Sequence, residues 1–88
     1  MRVDLFLHRI RLAKTRTLAQ GLVEAGHVRI DGRRVERASA AIKEGSIIAL
    51  PLHGRVCIVE VLSLPPRRGP PAEARACYRE IDEGGGAT

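Results

Sequence analysis

Five basic residues in the first half of the chain have the types and spacing to do chemistry together. Arg11, Lys14 and Arg16 lie around the start of one helical stretch, and Arg29 and Arg34 lie in a short hairpin that follows it. Guanidinium groups hold phosphate or carboxylate oxygens through paired N–H bonds, and an ammonium adds a compact positive charge. A helix start contributes free N–H groups and a partial positive charge to the same task. Any one of these residues alone reads as a solvated surface charge. Five of them on one helix start and one hairpin face read as a phosphate-binding surface.

The elements that must position them follow from local pattern. Thr15 has the side chain of an N-cap, and Leu18, Leu22 and Ala25 recur at helical spacing, with Ala19 and Val23 widening the apolar stripe. Gly26 closes the helix as its C′ residue, so the pattern predicts a helix from Arg16 to Ala25. Val28-Arg29-Ile30 and Arg33-Arg34-Val35 then read as two strands around the two-residue turn Asp31-Gly32. This register sets Arg29 opposite Arg34, a repulsive pair that an anion between them would relieve. Upstream, Val3, Phe6, Leu7 and Ile10 give a first helix with one apolar stripe. Leu12 and Ala13 make a short connector that places Lys14 at the elbow between the helices.

The remainder reads as scaffold. Residues 37–43 form a loop or single turn, Lys43 to Ser46 a turn, Ile47 to Leu52 a strand, His53-Gly54 a turn, and Arg55 to Leu64 a longer strand. That last strand is apolar on both faces, which predicts a central position. Residues 65–71 are a stiff Pro/Arg-rich connector with solvated arginines. Pro71 can open a final helix over residues 72–83 with Ala74, Cys77, Tyr78 and Ile81 on one face, and residues 84–88 form a frayed tail. The expected fold is α+β: two N-terminal helices on a small, mostly antiparallel sheet of four or five strands, with a C-terminal helix. Residues 1–64 make the main domain.

Composition narrows the partner. The 88 residues carry a net charge of +5, and the excess is uneven: residues 1–43 hold ten Lys+Arg against four Asp+Glu, whereas residues 44–88 hold five against six. A polyanion is the expected partner of the first half. Phe6 and Tyr78 are the only aromatics, which argues against a sheet that stacks single-stranded bases and for recognition of phosphate, 2′-hydroxyl and helix shape. No apolar run is long enough for a membrane span and no signal peptide is evident, so no membrane partner and a cytoplasmic location are expected. Cys57 and Cys77 read as buried apolar thiols. His53 and Cys57 lack a second ligand pair, so no metal or cofactor is expected. No nucleophile or carboxylate pair accompanies His8 and His27, so no enzyme is expected.

Taken together, Arg2, Asp4, Phe6, Leu7, RLAKTRTLA at 11–19, Gly26, Val28, Ile30, Asp31-Gly32, Val35 and Ala38-Ser39 resemble the S4 RNA-binding domain, the αL motif. MRVDLFL at the start and RRGPPAEARACY near the end resemble the bacterial heat shock protein 15 family and its relative, the ribosome-associated quality-control P-site RNA-binding protein. The resemblance implies non-catalytic binding to large-subunit rRNA and tRNA on free or stalled large ribosomal subunits, and a monomer off the ribosome is expected. It also implies an RNA surface made of Arg2, Arg11, Lys14, Thr15, Arg16 and the hairpin residues Arg29, Asp31, Gly32, Arg33 and Arg34. Leu5 stands where that family usually has lysine, and Asp31 where it usually has asparagine. Two other classes compete: an RNA-binding module serving a separate RNA-modifying enzyme, for which a catalytic domain would have to come from a partner protein, and a basic protein-interaction module.

Overall fold

A computed structural model describes residues 1–81 of the chain. Helix α1 (Val3–Arg9) and helix α2 (Arg16–Glu24) precede a hairpin of β1 (Val28–Ile30) and β2 (Arg33–Val35). A second hairpin, β3 (Ile47–Leu52) and β4 (Arg55–Val61), is followed by the short helix α3 (Pro71–Arg75) and strand β5 (Tyr78–Glu80). The five strands form one antiparallel sheet in the order β2-β1-β3-β4-β5.

The apolar stripe of the first helix does what its spacing predicts, whereas that of α2 is corrected. Ala19 and Val23 face the core, Leu22 is half-buried, and Leu18 and Ala25 are exposed, because α2 packs on α1 and the sheet through the flank next to the expected stripe. Val3, Phe6, Leu7 and Ile10 of the first helical stretch are buried with Ala19 and Val23 of α2 against Val28, Ile48, Leu50 and Val59 of the sheet. This is one core between a helical layer and one sheet face, and burying it is the dominant favourable term for a domain of this size. The β1–β2 register pairs Val28 with Val35, Arg29 with Arg34 and Ile30 with Arg33. Asp31 and Gly32 take positive φ angles of 52° and 84°, as the two-residue turn requires.

Two expectations about the second half are corrected. The helix expected over residues 72–83 is only the five residues of α3, and Tyr78–Glu80 instead pairs with Val59–Val61 of β4. Ala74, Cys77 and Tyr78 fit a helical spacing, but the free edge of β4 offers a row of unpaired backbone groups that a strand satisfies and a helix does not. Residues 82 and 83 of that expected helix, and the expected tail at 84–88, lie outside the described residues. Strand β4 is flanked on both sides, yet only Cys57, Val59 and Val61 face the core, while Val56 on the opposite face is 66% exposed.

The connector is also no solvated linker. Pro65 and Gly69 are buried, and three arginines fasten residues 65–69 to the end of α1. The Arg9 guanidinium donates to the Pro65 carbonyl at 2.9 Å, Arg11 Nε to the Gly69 carbonyl at 2.7 Å, and Arg68 Nε to the His8 carbonyl at 3.0 Å.

Candidate nucleic-acid interface

The two helices end in the same way on different residues. After α2, the Gly26 and His27 N–H groups donate to the Val23 and Leu22 carbonyls; after α1, those of Arg11 and Leu12 donate to the His8 and Leu7 carbonyls. Each is a Schellman closure with its C′ residue in the left-handed region: Gly26 at φ 81°, Arg11 at φ 66°. A non-glycine residue held there costs of order 1 kcal/mol. The bond from Arg11 Nε to Gly69 is positioned to offset that cost. The elbow is therefore set by the connector as well as by the helices.

The centre of the site is a carboxylate. Asp4 is fully buried (0% exposed) in the first turn of α1, and its oxygens accept from Arg2 Nε (3.1 Å), an Arg2 terminal nitrogen (3.2 Å), Arg16 Nε (3.3 Å), Gln20 Nε2 (3.3 Å) and the Leu5 N–H (2.7 Å). Burial pushes its carboxyl pKa up, but the bonds from Arg2, Gln20, the Leu5 N–H and Arg16 outweigh burial and hold it below the usual carboxylate value. The carboxylate is thus ionised at neutral pH. It engages Arg16 only through Nε, and among the described residues both terminal nitrogens of that guanidinium are left for another acceptor. Arg2 and Arg16 remain 44% and 43% exposed at their side chains.

The field around this cluster is read by His8. Its pKa is lowered by burial first and then by the positive charges of Arg68, Arg16, Arg9 and Arg11. Four guanidiniums acting on one imidazole mark a region where an added anion is favoured.

Thr15 caps α2, its hydroxyl accepting from the Leu18 N–H at 3.1 Å. This satisfies one donor of the helix start and fixes where Arg16 leaves the backbone. Lys14 is exposed at the elbow. On the hairpin, Arg29 and Arg34 face each other on the outer face, and the Glu36 carboxylate meets Arg34 at 2.7 Å, so the repulsion is partly relieved within the chain. Arg29 and Arg33 are exposed, with no side-chain hydrogen bond among the described residues. Asp31 is spoken for: its carboxylate accepts from the Ile47 N–H at 2.9 Å and its own N–H donates to the Ile47 carbonyl at 2.8 Å, which staples the hairpin turn to β3.

The expected site residues therefore divide. Arg2 and Arg16 come together on Asp4, while Arg11 turns its Nε to the connector. Asp31 and Gly32 shape the turn that carries Arg29, Arg33 and Arg34. Sequence reasoning missed Asp4 and Gln20 as organisers and Arg9 and Arg68 as fasteners. Gln20 lies four residues after Arg16, one helical turn away on the same face, and that spacing was the available signal. Among the described residues there is no group of three potential metal ligands and no helix long and apolar enough to cross a membrane. Cys57 is buried and donates toward Glu80 at 3.3 Å; burial, then this bond and the Glu80 charge, push its thiol up to about 11, which leaves it unreactive.

With this geometry in place, comparison with known proteins is informative. The S4 domain family matches residues 1–48. The small ribosomal subunit protein uS4 of Oceanobacillus iheyensis is 49% identical over 49 residues, which is 56% of this chain and 24% of that protein. The chain thus spans about a quarter of the length of the curated relatives it matches. The trimeric structure of heat shock protein 15 from Vibrio cholerae superposes with a TM-score of 0.87 at 31% identity, covering 92% of this chain and 81% of the other. The solution structure of the hypothetical protein HP1423 gives a TM-score of 0.78 at 26% identity over 96% of this chain and all of its own.

Proposed function

The chain belongs to the S4 domain family of RNA-binding modules, and from that premise we propose that it binds structured RNA on the large ribosomal subunit, contacting rRNA and the tRNA of a stalled complex, without catalysis. The observation that carries this reading is the buried Asp4 carboxylate holding Arg2 and Arg16 while leaving guanidinium N–H groups at the surface that have no partner among the described residues. Such groups are pre-oriented for phosphate oxygens, so little side-chain entropy remains to be lost on binding. Lys14, Arg29, Arg33 and Arg34 extend the basic surface along the elbow and the hairpin.

The choice of the large subunit rests on extent of similarity. The likeness to uS4 covers 56% of the chain, whereas the likeness to heat shock protein 15 covers 92% of it. The protein acts in the cytoplasm as a single copy. The test is co-sedimentation with purified large and small subunits over a salt series. Binding to large subunits with a steep negative log–log salt slope is expected, since each neutralised phosphate releases counterions. Salt-independent association, or equal binding to both subunits, would overturn the reading.

A further inference from the structure

On the flank of α2 away from Asp4, an open apolar groove of about 520 Å³ runs between that helix and the tip of the β3–β4 hairpin. Leu18, Gly21 and Leu22 form its helical wall, and His27, Pro51 and Leu52 face them. Lys14 also lines it. His27 and Pro51 also line an adjoining hollow that contains Arg29, so a lysine borders the groove and an arginine the hollow that adjoins it, with no carboxylate among the lining residues of either.

Two features point to an occupant that comes close. Leu18 is 54% exposed, although Ala19 and Val23 of the same helix are buried and Leu22 is half-buried. Gly21 sits inside α2, where glycine is destabilising relative to alanine, yet a Cβ built on it meets nothing within 4 Å. No packing within the described chain requires a glycine there, and its absent side chain leaves the helical wall low. The imidazoles of His27 and His53 at the rim are exposed and have no hydrogen-bond partner among the described residues.

We propose that this groove receives one unpaired nucleotide of the bound RNA, its base against Leu18, Gly21 and Pro51 and its flanking phosphates toward Lys14 and Arg29. The assignment rests on the RNA-binding reading above and deepens it. An unpaired base has apolar faces for the walls and polar edges for the imidazoles, and its two phosphates match the two cations, Lys14 and Arg29. An apolar protein helix would fill the same walls but would leave both cations without a partner. A chain with so few aromatic residues would gain in this way a base-sensitive contact that its phosphate surface cannot provide.

The experiment compares two RNA hairpins of one length, one fully paired and one with a single 2-aminopurine bulge. Wild-type protein should bind the bulged hairpin about tenfold more tightly, with a change in 2-aminopurine fluorescence. Gly21→Met places a good helix former in the open space, so its melting temperature should rise while the preference for the bulge disappears. Leu18→Ser should lose the preference with its fold intact by circular dichroism. Both variants should keep the wild-type affinity for the paired hairpin. Equal wild-type affinity for both hairpins, or a preference that survives both substitutions, would overturn the groove assignment and leave the RNA-binding reading standing. Failure of the wild type to bind either hairpin would remove both. Self-association of the wild type that Gly21→Met abolishes, measured by sedimentation, would give the groove to a second copy of the chain and overturn the assignment.

Discussion

In the second half of the molecule, arginines meet carboxylates one to one at the surface. An Arg79 terminal nitrogen lies 2.6 Å from Glu60, and one of Arg67 lies 3.1 Å from Glu73. In the first half, Arg2 and Arg16 share the single carboxylate of Asp4, which is out of water. The same two residue types thus give opposite results. The one-to-one pairs are neutral, exposed and worth little. The shared carboxylate leaves a net positive charge, fixes two guanidiniums at once, and keeps N–H groups for an outside acceptor. Burial of the anion, more than the number of cations, sets this basic cluster apart from the solvated pairs.

The largest expected effect comes from removing the charge of Asp4. Asp4→Asn leaves two guanidiniums without their counter-ion, and should cost about 2 kcal/mol of stability, a value reduced from that of a fully buried pair because both arginines are partly exposed. Subunit binding should weaken with it; thermal melts and co-sedimentation check both, and an unchanged melting temperature would make the cluster incidental. The same carboxyl sets an acid limit. Its folded pKa is depressed, so its contribution is complete above about pH 3.9, the value for an unfolded aspartate, and is lost as pH falls from there through the folded pKa. Asp4→Asn should flatten that part of the stability profile.

Next in size is Arg16→Lys. It keeps the charge but has no planar fork, and it should cost about 1 kcal/mol in RNA binding. Arg67→Lys, in a surface pair with Glu73, should cost almost nothing. Titration of both variants at one salt concentration separates them, and equal effects would reduce the first half to diffuse charge.

Within the hairpin the comparison becomes finer. Arg34 already has Glu36, whereas Arg29 has no such partner among the described residues. Arg29→Gln should therefore weaken binding by roughly 0.5 kcal/mol and Arg34→Gln by less, with folding unimpaired in both. The reverse order would assign Glu36 no part in balancing the hairpin. The smallest effect is spectroscopic: His8 should titrate below its ordinary value in NMR, move up as salt screens the arginines, and move up further when RNA phosphate is bound. A His8 pKa insensitive to salt would mean that burial alone depresses it.

Local grammar made much of this fold legible. Thr15 as a cap, Gly26 as a stop and Asp31-Gly32 as a turn each act within a few residues, and the hairpin register followed from the two-residue loop. Nothing of that kind announces Asp4. Its partners lie two residues before it and twelve and sixteen after it, and only the packing of α1 on α2 brings them together. The type of Arg11 is visible in the sequence, but its left-handed backbone and its bond to the distant Gly69 carbonyl are not. Tyr78–Glu80 was misread because three residues satisfy a helical or an extended pattern equally, and the edge of β4 decides between them.

The reciprocal fastening of residues 65–69 to the end of α1 also bears on the order in which the chain matures. Residues 11–35, which carry most of the basic surface, are synthesised early. The carbonyl that holds Arg11 belongs to Gly69, and the guanidinium that closes on the His8 carbonyl belongs to Arg68. Both must emerge before the elbow is fastened, because domains fold as units once their chain is available. The part of the protein made first is thus completed last, and a nascent chain lacking residues 65–69 carries the basic charge without the fastened elbow that positions it.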